Sequence, residues 1–373
     1  MTKTRISAIP PPAPPSEPVD GRYELLEIAG RGGMAVVWRG LHHGPGRFCR
    51  TVAVKQMYPH LAQQQLYRDL FYEEARIGSV LQDPNIAQVF DFLSADDQYY
   101  LVMEWVEGVD LTTYIRYVFD KAGRKTRWEL MAAIGIGVLR GLAAAHEREL
   151  ESKATEPIVH RDVSPHNVLI SEQGRAKLID FGLSFARDRD IDDTDPGMAK
   201  GKLSYLAPEI VRGGRPTPAS DQFAVGALLW EALVGRKAFD GDNHYAVYER
   251  VANAEVEPLQ KLRPDVPKAF TALVHRALSL DPGDRYPDAR DMARQLGNVL
   301  KRDKTKVDLY DALAETVRAA RADLGIGHRT QDPDSDSVVS EEHSGLVELL
   351  AEQEDKPTGL RRWIPSFLRG RPE

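Results

Sequence analysis

Short runs of β-branched and aromatic residues, separated by glycine, proline or aspartate, fill the chain between Tyr23 and about Asp110. Runs of this kind predict β-strands. They cover residues 23–28, 35–39, 51–56, 87–92 and 99–105. One stretch, roughly 63–81, instead repeats its apolar residues at helical spacing and predicts a helix.

Beyond about residue 110 the apolar residues recur mainly at helical spacing. The predicted helices cover residues 128–146, 221–234, 245–252 and 268–278. The pattern therefore predicts an α+β, bilobal fold. A small antiparallel-sheet lobe with one helix (about 22–106) precedes a larger, mostly helical lobe (about 107–300), with a cleft between them.

The two ends of the chain differ in composition from this central part. Residues 1–21 are rich in proline and predict a disordered arm that cannot bury a core. Residues 301–325 predict an amphipathic helix that ends at a glycine. Residues 326–373 are an acidic linker followed by a basic, aromatic tail. The tail, 358–373, suits weak docking on an anionic membrane surface or on a partner, and folding back on the rest of the chain is equally open.

Composition narrows the class of protein. The chain has 373 residues and a net charge of -7, which argues against a nucleic-acid binder. Its one cysteine, Cys49, excludes an intramolecular disulfide and suits a reducing compartment. No apolar run approaches the ~20 residues of a membrane helix, and the N-terminus lacks the apolar core of a secretory signal. We therefore expect a cytoplasmic protein without a transmembrane segment.

Two motifs in the strand-rich part point to a phosphate-bearing ligand. In IAGRGGMAVVW, Gly30 and Gly32 would let backbone amides approach a phosphate, although a plain hairpin is the usual explanation of such a pair. Lys55 ends the apolar strand VAVK, and burying its ammonium is costly without an anionic partner. The helical segment FYEEAR offers Glu73 and Glu74, and the apolar spacing that follows favours Glu74.

Two further motifs supply oxygen ligands. HRDVSPHN places Asp162 and Asn167 five residues apart, and AKLIDFG delivers Asp180 from a strand into a turn. A carboxylate for a hydroxyl group, together with an amide oxygen and a second carboxylate, suits Mg²⁺, which prefers few protein ligands plus substrate phosphates.

Together these motifs resemble the signature set of the eukaryotic-like protein kinases. The set comprises the glycine-rich loop, V-A-V-K, H-R-D-x-x-x-x-N, D-F-G, A-P-E at 207–209, D-x-F-x-x-G at 221–226 and D-P-x-x-R-Y at 281–286. Seven motifs occur in the family's order over about residues 23–300. The glycine loop and the last motif look most like bacterial serine/threonine kinases.

The resemblance implies a site for ATP and Mg²⁺ and an activity on protein substrates. Lys55, paired with Glu74, would hold phosphates, Asp162 would accept the substrate's proton, and Asn167 with Asp180 would bind Mg²⁺. The ATP-contacting positions that it implies are Ala29, Gly30, Gly32, Gly33, Ala35, Val37, Lys55, the gatekeeper Met103, Glu104, Val106 and Asp110. Ala35 departs from the family's third glycine. Glu209 and Arg285 resemble the family's structural ion pair.

A second departure concerns a catalytic charge. Ser164 stands where serine/threonine kinases carry a lysine, and Lys202, in GKLSY, stands where they carry a threonine. These positions touch in the family's fold. We hypothesise that the Lys202 ammonium replaces the missing one, the alternative being that Lys202 points to solvent and the site is slow.

Other functions are weighed against the kinase. An ATP-binding pseudokinase scaffold is the first alternative, although Lys55, Asp162 and Asp180 are all present. A small-molecule kinase is more distant because of the A-P-E and D-P-x-x-R motifs. Pro165 favours serine/threonine specificity, and Thr194, in an acidic stretch, is the expected activating phosphosite.

Overall fold

The computed structural model describes residues 14–148, 157–181, 202–302 and 307–326. Thr194, the tail at 358–373 and most of the proline-rich arm lie outside these residues, so the predictions made for them stay predictions. Residues up to Leu324 form one compact unit, and of the second unit, Gly325–Glu373, only residues 325 and 326 are described.

The smaller lobe is an antiparallel five-stranded sheet in the order β1-β2-β3-β5-β4. Its strands are β1 Tyr23–Arg31, β2 Ala35–His43, β3 Cys49–Met57, β4 Val89–Ala95 and β5 Gln98–Glu104. All five predicted strands are confirmed, the fourth beginning two residues later than predicted. The sequence did not predict the short helix α1, Pro59–Ala62, which precedes the predicted helix, α2, Gln65–Val80. Phe71 and Ala75 of α2 pack with Leu101 and Met103 of β5 in this lobe's core.

The ordered lobe begins before the predicted boundary at residue 22. Val19 is 6% exposed, pairs with Tyr23, and packs with Val36 and Trp38 in the sheet's second apolar cluster. Residues 18–21 are therefore part of the lobe, because Val19 buries a side chain that an arm would leave in water.

The larger lobe is mostly helical. Its helices are α3 Leu111–Arg116, continued by a π-helical turn Tyr117–Lys121, α4 Trp128–His146, α5 Pro208–Val211, α6 Pro218–Val234, α7 His244–Ala252, α8 Leu259–Leu262, α9 Lys268–Ala277, α10 Ala289–Arg302 and α11 Leu309–Asp323. The long helices predicted from periodicity are confirmed, and α6 begins three residues earlier than predicted. A capping box between Thr217 and Ser220 and a proline at its first turn explain that earlier start.

Helix α4 is the centre of the larger lobe. By length and apolar composition alone it could cross a membrane, but 72% of its most apolar stretch is buried inside the fold. It packs against α6 and α10, and Met131, Leu139 and Leu142 are fully buried. Burial against other helices accounts for the apolar character of α4.

A small three-stranded sheet connects the two lobes. Its strands, β6 Gly108–Asp110, β7 Val168–Ser171 and β8 Ala176–Leu178, are antiparallel in the order β6-β7-β8. A Cβ at Gly108 would lie 2.0 Å from the Ile170 carbonyl oxygen, so only glycine lets β6 approach β7 this closely. Leu178 bonds to Asn85 of the smaller lobe (2.8 Å). Strand β8 therefore hydrogen-bonds this small sheet to the smaller lobe.

Candidate active site

The loop before β7 carries Asp162 and Asn167 and is fixed by α6. The carboxylate of Asp221, at the start of α6, accepts the backbone N–H groups of His160 (2.8 Å) and Arg161 (3.0 Å). These bonds hold Arg161 at φ +69°, a left-handed conformation that costs energy in a non-glycine residue. Asp221 belongs to a motif that the sequence singled out, but its anchoring role was not predicted.

Asp162 and Asn167 are brought together as predicted. The Asn167 side-chain amide donates through Nδ2 to the Asp162 carbonyl oxygen (2.8 Å). This bond uses the Nδ2 end of the amide and leaves Oδ1 for a metal ion. Asn167 also closes the short 3₁₀ turn Pro165–Asn167, which begins at the proline.

Lys202 lies in the site. Its Nζ is 2.6 Å from Asp162 Oδ2, with the lysine side chain 42% exposed and that of Asp162 20% exposed. Ser164 is buried, at 6% exposure, and its side chain is too short to take the place of the Lys202 ammonium beside Asp162. The alternative, in which Lys202 points away into solvent, does not agree with this geometry.

Lys55 lies between two carboxylates. Its Nζ donates to Glu74 Oε1 (2.6 Å) and to Asp180 Oδ1 (2.8 Å). Lys55 and Glu74 are 5% and 4% exposed, which a lysine tolerates only with anionic partners. Glu73, the other candidate, instead pairs with Arg76 on the exposed face of α2 (2.6 Å). The choice of Glu74 therefore agrees with the structure.

Burial and charge shift the pKa values of this triad in different directions. Burial would lower the pKa of Lys55, but the charges of Asp180 and Glu74 raise it above its usual value. Burial likewise opposes ionisation of Asp180, yet Lys55 lowers its pKa. Glu74 is the weaker acid, because burial raises its pKa to about 7 in spite of Lys55.

The residues present fit a magnesium ion. One ammonium faces two carboxylates, and Glu74 Oε2 is buried without a hydrogen-bond partner in the part of the chain that the structure describes. Among the described residues, no group of three or more His, Cys, Asp or Glu side chains could hold a metal ion, so a metal here would have few protein ligands. An amide oxygen from Asn167 and a carboxylate from Asp180 agree with the few protein ligands that Mg²⁺ takes.

The glycine-rich turn leaves room for a ligand. A Cβ on Gly30 would meet nothing within 4 Å, and one on Gly32 only the Ala35 carbonyl oxygen at 3.5 Å. Neither glycine has the positive φ that would require it. The fold itself thus needs neither glycine, which suits close approach of a phosphate. Ala35 is 2% exposed and packs into the lobe's core, so the missing third glycine is explained by core packing.

The other implied nucleotide positions line the strands beside the cleft. Ala29 and Gly33 are exposed and Val37 is half-buried, opposite Lys55 in the sheet. Met103 is 8% exposed and lies opposite Ala53 in the sheet.

The segment after β5 is held by side chains of the larger lobe. Glu104 accepts from Lys177 Nζ (2.9 Å), and Val106 is half-buried. Asp110 caps α3 by accepting the amide of Thr113 (2.9 Å) and its hydroxyl (2.8 Å). This capping role of Asp110 was not predicted, although an aspartate before a helix is a signal for it.

Glu209 and Arg285 form the predicted ion pair. Both guanidinium Nη atoms lie 2.8 Å from the two Glu209 carboxylate oxygens, and Arg285 also donates to the Ala219 carbonyl (2.9 Å). Since Arg285 is 1% exposed, the pair holds the A-P-E segment to the base of the lobe.

Comparisons with known proteins agree with this geometry. The family model described as "Protein kinase domain" matches residues 23–296. The tyrosine-protein kinase MasK of Myxococcus xanthus is 36% identical over 283 residues, 75% of this chain and 43% of MasK. The serine/threonine-protein kinase PrkC of Bacillus subtilis is 33% identical over 289 residues, 77% of this chain and 42% of PrkC. The chain therefore spans less than half the length of these two relatives.

A solved structure is also similar. The crystal structure of the Mycobacterium tuberculosis PknI kinase domain aligns with a TM-score of 0.55 at 26% identity. The alignment covers 74% of this chain and 95% of that domain. With the match over residues 23–296 and the site geometry above, this chain belongs to the protein kinase family.

Proposed function

We propose that this chain is a serine/threonine protein kinase that transfers the γ-phosphate of ATP to hydroxyl groups of proteins, including its own. The observation that carries the proposal is the closed Lys55–Glu74 pair (2.6 Å) in the same site as an Asp162 carboxylate that contacts an ammonium. In protein kinases the lysine–glutamate pair must be in place for phosphoryl transfer.

In the proposed reaction the substrate hydroxyl binds at Asp162. Its oxygen forms a bond to the γ-phosphorus while the bond from that phosphorus to the bridging oxygen of the β-phosphate breaks. The proton of the hydroxyl passes to the Asp162 carboxylate, and ADP leaves. Lys55 binds and orients the α- and β-phosphates, since its ammonium is already fixed by Glu74.

Lys202 supplies the second ammonium of the reaction. Its position on Asp162 places a positive charge where negative charge is redistributed, and where Ser164 offers none. Asn167 and Asp180 would hold Mg²⁺, which when bound neutralises charge on the phosphates.

Serine/threonine specificity is the finer part of the proposal. PrkC bears a serine/threonine name and MasK a tyrosine name, so the relatives support both classes. Pro165 in the catalytic loop favours the first class. No observation in the described residues favours the pseudokinase scaffold, since Lys55, Asp162 and Asp180 are all in place.

The test is phosphate transfer by the full chain. Purified protein is treated with phosphatase, incubated with Mg-ATP, and analysed by intact mass and phosphosite mapping beside an Asp162→Asn control. Phosphate on serine or threonine in the wild type and none in the control is the expected result. Phosphate only on tyrosine would overturn the specificity, and none at all, with intact ATP binding, would overturn the kinase activity.

A further inference from the structure

Helix α11 lies outside the residues that the family model matches, yet it packs beside the connection between the lobes. Its buried face consists of Leu313, Ala314, Val317 and Ala320, all at most 3% exposed. This face contacts α3, α4, β6 and β7. Strand β6 begins two residues after Val106, which with Glu104 is among the implied ATP-contacting positions. The appended helix is therefore part of the support of the nucleotide site.

Arg321, near the end of α11, contacts the connection between the lobes through two carboxylates. Its Nη1 lies 2.6 Å from Glu107 Oε2 and 3.0 Å from Glu172 Oε1. Its side chain is only 12% exposed, whereas those of Glu107 and Glu172 are 43% and 34% exposed, so the ion pairs are partly shielded from solvent. The contact is an ion pair rather than a linear hydrogen bond, because Nη1 has no well-directed acceptor among the described residues.

Glu107 is held on several sides. It follows Val106, accepts the indole N–H of Trp105 (2.8 Å), and its carbonyl accepts the Glu172 amide (2.7 Å). Burial alone would raise the pKa of Glu107, but the nearby Arg321 guanidinium and the hydrogen bond from Trp105 lower it below its usual value. The carboxylates of Glu107 and Glu172 thus lie on adjacent segments of the chain and share one cation, Arg321.

The opposite end of α11 fixes the turn after β7. A Cβ at Gly174, where φ is +74°, would lie 2.1 Å from the Tyr310 carbonyl oxygen. Closer to Arg321 on the same helix, Arg318 donates to the Glu172 carbonyl in this turn (3.0 Å). Strand β6 follows Glu104 and Val106, and strand β7 begins directly after Asn167. Helix α11 contacts both strands, so it supports the segment on each side of the site.

We propose that α11 is a clamp on the nucleotide site and that Arg321 is a positioning residue for residues 104–110. Without its guanidinium, Glu107 and Glu172 would repel each other, and the segment would loosen. ATP would then have to order residues 104–110 on binding, which weakens affinity without changing the reacting groups. The proposal rests on the proposed function in taking ATP as the ligand.

The test uses three variants of the full chain. Arg321→Ala removes the cation, Arg321→Lys retains it, and Glu315→Ala is the matched control, because Glu315 is exposed on the same helix. In Arg321→Ala we expect the KM for ATP to rise about threefold to tenfold and kcat to stay within about twofold, as for loss of a partly shielded ion pair. Hydrogen–deuterium exchange of residues 104–110 should become faster. Arg321→Lys should recover part of both effects, and Glu315→Ala should match the wild type.

Two results would overturn the proposal. One is an Arg321→Ala protein with unchanged ATP affinity and unchanged exchange at 104–110. The other is that Arg321→Ala and Arg321→Lys lower kcat and the melting temperature by equal amounts. Arg321 would then have only a structural role. If Arg321→Ala does not fold, Glu107→Gln tests the pair from its exposed side and carries the same expectation.

Failure of the kinase activity would not be mistaken for failure of the clamp. For a chain that binds ATP without transferring phosphate, the dissociation constant for ATP replaces the KM. The exchange measurement needs no activity at all.

Discussion

Moving the Lys202 ammonium back to position 164 is the sharpest test of the site. The set consists of the wild type, Lys202→Thr, Ser164→Lys and the double variant Ser164→Lys/Lys202→Thr. The double variant recreates the arrangement of charge and hydroxyl that the family usually carries. We expect Lys202→Thr to be slow and the double variant to recover activity.

The expected magnitude follows from the geometry. At the observed 2.6 Å, opposite unit charges attract by about 1.6 kcal/mol in water and about 6 kcal/mol at an effective dielectric constant of 20. The Lys202 side chain is 42% exposed, so the lower part of this range applies. Only the part that strengthens in the transition state accelerates the reaction. We therefore expect Lys202→Thr to lose about 1–3 kcal/mol, or about fivefold to 150-fold in kcat.

The assay is the initial rate of phosphate transfer at saturating Mg-ATP, with all four proteins first treated with phosphatase. ATP binding is measured separately, and should change little because Lys55 is untouched. Ser164→Lys alone places two ammonium groups beside one carboxylate and should gain nothing. The double variant should come within about threefold of the wild type, which is a coupling that independent sites do not show.

The reasoning would be refuted by Lys202→Thr retaining the wild-type rate. It would also be refuted by a double variant no faster than Lys202→Thr while both proteins bind ATP and melt as the wild type does. In the first case Lys202 has no part in the transfer. In the second, the two positions do not share one role.

Three further predictions concern the cleft and its support. Gly30→Ala should leave the melting temperature within about 1 °C of wild type, since its Cβ meets no protein atom, but should raise the KM for ATP in steady-state kinetics. The raised pKa of Glu74, about 7, means that the folded protein holds a proton that the unfolded chain releases above about pH 4.5. Between pH 5 and 7.5 the free energy of unfolding in urea should therefore fall for the wild type relative to Glu74→Gln. If the two proteins change in parallel with pH, the raised pKa of Glu74 is contradicted. Glu209→Gln leaves the Arg285 charge buried and should lower the free energy of unfolding by about 3 kcal/mol, whereas the exposed Glu315→Gln should not.

Local pattern predicted most of the fold because each element carries its own signal. The alternating strands and the long apolar helix α4 need no distant residue to be recognised. Val19 was placed in a disordered arm because it is one apolar residue among prolines, and its burial depends on Trp38 across the sheet. The docking of α11 was likewise not predicted, since Arg321 meets Glu107 only after the chain has folded.

The candidate site shows the same division. Lys55 was recognisable because an ammonium in an apolar strand demands a partner, and spacing selected Glu74 over Glu73. The anchoring of the catalytic loop by Asp221 and the inward packing of Ala35 are tertiary contacts, and no local pattern indicates them. The role of Lys202 could be predicted only because Lys202 and Ser164 both differ from the family's pattern at positions that touch. Ser164 alone would have suggested only a slow enzyme.

The place of Lys202 in the chain has a consequence for control of the reaction. In the family's usual arrangement the ammonium lies two residues from the catalytic aspartate, so the loop alone sets their distance. Here it comes from the segment before Ala207-Pro208-Glu209, 40 residues after Asp162, and the contact exists only when that segment is folded against the loop. On the proposed role of Lys202, any change that moves the segment therefore also withdraws a positive charge from Asp162. Transfer by this chain should depend more steeply on the segment's conformation than transfer by the Ser164→Lys/Lys202→Thr variant, in which the charge stays on the loop.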